Sequence, residues 1–203
     1  MIISNHWNRW RYTLWAPIYD FILAKKLRRK RRISIRLANI KKDEKVLLVG
    51  AGTGLDLPYI PKDCKITAID ITPAMIDRFN QRAINLGMNV ELHVMDAQKL
   101  LFPDGSFDVV VLHLIIAVVP DPIACMSEVV RVLKHNGRIV VFDKFLPKGY
   151  LSFIMRLFNP VTRILATNIT RRLEPVIQSF GLCVVDDKST GVLRTVLLKK
   201  III

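Results

Sequence analysis

Three glycines and an acid carry the first chemical signal in this chain. The stretch Val46-Leu47-Leu48-Val49-Gly50-Ala51-Gly52-Thr53-Gly54-Leu55-Asp56 runs from four apolar residues into glycines at alternate positions. A second apolar run, Lys65-Ile66-Thr67-Ala68-Ile69-Asp70, ends in an acid 18 residues after Gly52. Glycine lets the backbone turn sharply and come close to a ligand. In an open α/β sheet the strand ends face one crevice, so Asp70 would reach a ribose held over the glycine turn. The chemistry implied is capture of a nucleoside.

The spacing narrows the nucleoside. A dinucleotide fingerprint needs Gly-x-Gly-x-x-Gly. Here the position of its third glycine is Leu55, and Asp56 near the following helix start would oppose a pyrophosphate. No Gly-Lys-Ser/Thr is present for a triphosphate. The pattern suits a nucleoside carried without phosphates, of which S-adenosylmethionine is the commonest. Asp96-Ala97 closes a third apolar run and gives a second strand-end acid for the same crevice. No His/Cys/Asp cluster suggests a metal. Cys64, Cys125 and Cys183 stand far apart, with neither metal spacing nor a disulfide framework, which fits a reducing compartment.

The elements that must position these residues follow from periodicity. Apolar runs at 46–49, 65–70, 90–95, 107–114 and 138–142 read as strands. Phe107 to Leu114 is almost wholly apolar, hence central. After the glycine turn comes a short helix cut by Pro58 and Pro61. Thr72 as N-cap and Pro73 at the first helical position start a helix to about Leu86. Asp121-Pro122 opens a helix to Leu133, capped by Asn136-Gly137. Residues 150–180 read as helical with a break at Asn159-Pro160, and 182–185 with 192–199 as a closing hairpin. The order is β-α-β-α-β, then β-α-β-α-β-β. Such crossovers imply parallel strands with helices on both faces. The fold class is α/β, a Rossmann-like doubly wound, seven-stranded sheet, mostly parallel with an antiparallel final strand.

Charge sets the amino-terminal region apart. The chain has 203 residues, is 51% hydrophobic and carries a net charge of +14. Residues 1–45 hold 13 Lys/Arg against three acids. In Lys25-Lys26-Leu27-Arg28-Arg29-Lys30-Arg31-Arg32 seven of eight residues are basic. Such a patch attracts a polyanion, a nucleic acid or an anionic membrane surface. Residues 6–38 read as one or two helices with Trp7, Trp10, Trp15, Ile18 and Phe21 at helical spacing, kinked at Pro17. Trp beside Arg suits a membrane interface. The longest nearly apolar run, Val109 to Val119, is too short to span a bilayer, and the first residues lack a basic-then-apolar signal design. We therefore divide the chain into a basic, aromatic helical segment at 1–40, a lid and membrane contact, and a nucleoside-binding domain at 41–203. The expected place is the cytoplasm, peripheral on the inner membrane.

With these residues set out, the chain resembles a family. Gly50-Ala51-Gly52-Thr53-Gly54, Asp70-Ile71-Thr72-Pro73-Ala74-Met75 and Asp96-Ala97 are similar to the successive motifs of class I S-adenosylmethionine-dependent methyltransferases. Val118-Val119-Pro120-Asp121-Pro122 and Trp15-Ala16-Pro17-Ile18-Tyr19-Asp20 resemble bacterial phosphatidylethanolamine N-methyltransferases, whose wider neighbourhood includes quinone-ring C-methyltransferases. The resemblance implies that Gly50, Gly52 and Gly54, with Ala51 between them, approach the methionine part and ribose of the cofactor. It implies that Asp70 binds the ribose hydroxyls beside Ile71, that Met75 packs on adenine, and that Asp96 receives the exocyclic amine beside Ala97. Tyr19 would close over the methionine end. The family usually has an acid two residues before the first glycine; here that position is Leu48.

Methyl transfer needs a nucleophile in line with the sulfonium methyl, and an amine must arrive neutral. His113, at the carboxyl end of the fourth strand, is the candidate base, and Tyr19 its candidate companion. Tyr12, Trp15 and Tyr19 could offer ring faces to a methylated ammonium. The segment His113-Leu114-Ile115-Ile116 is not the polar-aromatic tetrapeptide of DNA amino-methylases, and no cysteine is placed to attack a pyrimidine. The expected acceptor is phosphatidylethanolamine at an anionic membrane surface. The alternatives are a quinone precursor, an RNA gripped by the basic run, or a non-catalytic membrane- or RNA-binding role on the same fold, prompted by Leu48. No RNA-binding module is visible, which counts against nucleic acid.

Overall fold

The computed structural model describes residues 27–145 and 171–200. Residues 27–38 are helical (α1) and lead to β1, Lys45–Val49. The order continues β2 Lys65–Asp70, α2 Pro73–Asn85, β3 Val90–Val94, β4 Phe107–His113 and α3 Pro122–Val132. It closes with β5 Leu133–Lys144, α4 Glu174–Ile177, β6 Leu182–Thr190 and β7 Leu193–Lys200. The strands form one sheet in the order β3-β2-β1-β4-β5-β7-β6. Only β7 runs against the rest, pairing antiparallel with both β5 and β6. The expected doubly wound sheet is present, with β4 at its centre.

Alternation along the strands builds two cores. On β1, Leu47 and Val49 face one side with Leu112, Val141, Met126 and Val129, under α3. Val46 and Leu48 face the other with Val111, Val140, Phe79 and Ala83, under α2. Ile35 and Ala38 of α1 belong to that second cluster. The sheet is thus covered by helices on both faces, as parallel strands require. Phe79 is fully buried, and losing such a side chain typically costs ~3–5 kcal/mol.

Helix α1 is joined to this core at its end as well. Arg138 of β5 donates to the carbonyls of Ala38 and Asn39 and pairs with Glu44 at 2.6 Å. Helix ends leave carbonyls without intrahelical partners, and one arginine here supplies two of them. A division at residue 40 therefore cuts through a shared cluster.

Several local details differ from the sequence reading. The turn after the glycines is a single 3-10 turn, Leu57–Tyr59, since Pro58 and Pro61 leave no room for more. Thr72 precedes α2 but makes no side-chain cap; the Asp70 carboxylate accepts the Thr72 N–H instead, at 2.9 Å. Asn136-Gly137 does not cap α3. That helix ends at Val132, and Asn136 adopts φ 62° inside an irregular stretch of β5, where the register on β4 shifts. Asp121 does cap α3, accepting from the N–H groups of Ile123 and Ala124.

Candidate active site

The ends of β1, β2, β3 and β4 open onto one cavity of about 850 Å³, its open mouth included. Gly50, Ala51 and Gly52 line it after β1, and Asp70 and Ile71 after β2. Asp96, Ala97 and Met75 line the cavity beside them, and His113 lines it from β4. Gly54 does not reach the cavity. A Cβ there would lie 3.0 Å from Cδ2 of Phe79, so this glycine lets the turn pack on α2. Tyr19, Tyr12, Trp15 and the other expected membrane-facing aromatics, Trp7, Trp10 and Phe21, lie outside the described residues.

Asp70 organises the nucleoside side. Its Oδ2 accepts the Gly52 N–H and its Oδ1 the Thr72 N–H, each at 2.9 Å. One carboxylate therefore fixes both the glycine turn and the start of α2. A carboxylate offers about four lone-pair sites, so these two amides do not exhaust what it can accept. Burial pushes its pKa up, with the Thr72 and Gly52 amides partly countering that. Gly52 itself has φ +56° and nothing within 4 Å of where a Cβ would sit. Its backbone can meet a ligand directly.

Asp96 is held by a residue that motif reading passes over. Gln98 donates to Asp96 through its own N–H and its Nε2, while its Oε1 accepts the Asp121 N–H at 2.9 Å. The amide side chain thus ties Asp96 to the cap of α3. On the far wall Leu114 has φ 60°, uncommon for leucine. It breaks β4 sharply and brings Ile115 in, where a Cβ on Gly50 would lie only 2.7 Å from Ile115 Cδ1. Two further groups brace this wall. Asp143 accepts the Ala117 N–H at 2.9 Å, and burial pushes its pKa up to about 6. Arg171 donates to the carbonyls of Ile116 and Pro120. Asp108 lies away from the cavity, holding the Lys45 amide and Lys134.

The end of the cavity beside β4 carries a buried polar chain that sequence reasoning missed. Asp56 accepts from Arg31 Nη1 through Oδ2 at 2.8 Å and meets His113 Nδ1 through Oδ1 at 2.9 Å. His113 Nε2 in turn meets Ser34 Oγ at 2.8 Å. All four residues are buried. Burial alone would raise the Asp56 pKa; the charges and hydrogen bonds of His113 and Arg31 outweigh it and hold the carboxyl well below the usual range. Because a carboxylate only accepts, Nδ1 carries a proton aimed at Asp56, and Nε2 is engaged by the Ser34 hydroxyl, which can donate or accept. The imidazole then has no lone pair facing the cavity. The expected free base at His113 is not what this geometry presents; the ring joins α1 to β4.

Arg31 also departs from its expected place in the solvent-facing charge run. Leu27, Arg31, Ser34, Ile35 and Ala38 form the buried stripe of α1, while Arg28, Arg29, Arg32 and Arg36 are exposed. The i, i+4, i+7, i+8 spacing of that stripe was the available signal: an arginine sits on the apolar face. Asp56, expected beside a helix start, has its charge taken by Arg31.

Residues 47–141 match the family model for a methyltransferase domain. The chain is 38% identical over 155 residues to a phosphatidylethanolamine N-methyltransferase of Cereibacter sphaeroides, covering 75% of this chain and 73% of that protein. It belongs to the S-adenosylmethionine-dependent methyltransferases. It is also 30% identical over 146 residues to a ubiquinone/menaquinone biosynthesis C-methyltransferase of Neisseria meningitidis, spanning 67% of this chain and 59% of that one. Among solved structures, the YcgJ protein of Bacillus subtilis superposes with a TM-score of 0.72 at 22% identity, over 80% of this chain and 71% of that one. The cofactor of this methyltransferase is S-adenosyl-L-methionine. The residues present fit it: Asp70 keeps acceptor capacity beyond the Gly52 and Thr72 amides, and the space over Gly52 is open.

Proposed function

We propose that this methyltransferase N-methylates phosphatidylethanolamine at a membrane surface. The observation that carries the reading is the 38% identity, over three quarters of the chain, with a protein named for that reaction. Helix α1 supports it. Arg28, Arg29, Arg32 and Arg36 are exposed on the same helix that packs beside the cavity. Near an anionic surface each such residue contributes about 1 kcal/mol, screened within a Debye length. Among the described residues no helix is long and apolar enough to cross a membrane, so on this reading the chain docks reversibly. The aromatic residues from Trp7 to Phe21 would add interfacial area, and Tyr19 would cover the cofactor.

The bound cofactor supplies a methyl group already activated on a sulfonium, with its own leaving group. The protein's share is positioning and exclusion of water. Asp70 and Asp96 would hold the nucleoside beside the glycine turn, and Ile115, Val118 and Val119 line the same cavity with apolar surface that would face the acceptor. With both His113 nitrogens engaged, the proton of the arriving ammonium leaves to water rather than to this ring.

A second reading, C-methylation of a quinone precursor, is favoured by the Neisseria relative. Lipid extraction from cells expressing the chain separates them. New mono-, di- or trimethylated phosphatidylethanolamine is the expected result, and a methylated quinone precursor with unchanged phospholipid would replace the reading. Replacing Arg28, Arg29 and Arg32 together by Gln should abolish salt-sensitive co-sedimentation with anionic liposomes; equal binding to zwitterionic liposomes would contradict the electrostatic account.

A further inference from the structure

We propose that Arg31 holds the carboxylate at the amino-acid end of the cofactor, through the Nε edge of its guanidinium. The inference rests on S-adenosylmethionine as cofactor and assigns a residue that the motifs leave out. Arg31 is 6% exposed and lines the cavity together with Gly50, Gly52 and Thr53. Its Nη1 is spent on Asp56, but its Nε finds no acceptor among the described residues. Leaving a buried N–H of this kind unmade is costly. Arginine offers its donors as a rigid fork suited to an oxyanion. Asp56 cannot supply more, because its two oxygens already serve Arg31 and His113.

The sheet order gives the orientation. Asp96 follows β3, Asp70 ends β2, the glycine turn follows β1 and His113 ends β4, and these strands are neighbours in that order. Three strand spacings span about 14 Å, on the scale of an extended adenosyl amino acid. With the nucleoside over Asp96 and Asp70, the amino-acid end lies toward β4, where Arg31 and His113 line the wall. Among the described residues Arg31 is the sole Lys or Arg that lines the cavity. Leu48, where the family usually has an acid, is buried in the apolar cluster under α2 and offers this end nothing. The carboxylate is therefore the group of that end for which the described residues provide a charged partner.

A phosphate of the methyl acceptor carries similar oxyanion chemistry, so the test separates the two sources. Binding of S-adenosylhomocysteine and of 5′-methylthioadenosine, which keeps the nucleoside and thioether but lacks the amino-acid end, is measured calorimetrically on the full chain. Arg31→Lys keeps a cation beside Asp56 and removes the Nε edge. Its Kd for S-adenosylhomocysteine should weaken roughly 10- to 100-fold, with methylthioadenosine unchanged within about twofold. Equal weakening for both ligands, or no weakening for either, overturns the assignment. A measurement on the unaltered chain covers instability of the variant. The Arg31 Nε–H resonance should shift on saturation with S-adenosylhomocysteine and stay in place with methylthioadenosine. A shift with glycerophosphoethanolamine alone would overturn it in favour of the acceptor phosphate. If the unaltered chain binds neither adenosyl ligand, the cofactor assignment falls first and this inference with it.

Discussion

The two ends of the cavity fix their carboxylates by opposite means. At the nucleoside end Asp70 is held by backbone amides close to the strand that bears it, Gly52 and Thr72, and Asp96 by its near neighbour Gln98. Burial pushes the Asp70 pKa up, since amide dipoles only partly offset the loss of water. At the other end Asp56 is held by side chains 25 and 57 residues away, Arg31 and His113. Full charges so close reverse the balance and hold its carboxyl low. The first arrangement leaves lone pairs for a ligand. The second consumes them and spends its carboxylate on docking α1 against the sheet. A carboxylate in a cleft is thus not by itself a ligand site; what it already accepts decides.

The largest effect that would test this contrast is on stability. Asp56→Ala leaves Arg31 and His113 buried without their shared partner, and such a break costs ~3–5 kcal/mol. Urea denaturation should show it as a large drop in midpoint. Asp70→Ala should act mainly on the ligand. Losing two hydrogen bonds to a charged acceptor weakens cofactor binding by roughly 1.5–3 kcal/mol, read by calorimetry. If both variants lost stability and affinity in the same proportion, the two ends would not differ as described.

The smallest effect is the pH dependence, at most about 1.4 kcal/mol per pH unit for one proton. A depressed carboxyl binds its proton more weakly folded than unfolded. The contribution of Asp56 is therefore present above about pH 4 and lost as pH falls below it. Asp143, raised to about 6, has the opposite sign. Its penalty is absent below about pH 4 and grows as pH rises toward 6. Asp56→Asn should flatten the acid limb of the stability curve, and Asp143→Asn the decline between those values. An unchanged acid limb in Asp56→Asn would mean that the carboxyl is not held by its two partners.

The sequence by itself determined the sheet, its order of helices and strands, and that the glycine turn and the acids after β2 and β3 meet at one cavity. Those features are written locally. Four apolar residues before a glycine turn make a buried strand, the acid closing β2 needs only its own strand to be placed, and Asp121-Pro122 opens α3 with its own cap. The turn at Leu57–Tyr59 and the irregular start of β5 escaped because prolines and an Asn-Gly pair fit more than one local structure. The docking of α1 was decided by tertiary structure alone. Arg31 belongs by composition to a run of basic residues; its helical spacing sets it on the stripe of Leu27, Ser34 and Ile35, but packing against the sheet is what buries that stripe and brings Arg31 beside the cavity. Pairing Asp56 with Arg31 and His113 joins residues from a helix, a turn and a strand. No local spacing encodes that meeting; it exists because burying a charge without a partner is too costly, and the fold brings these three together.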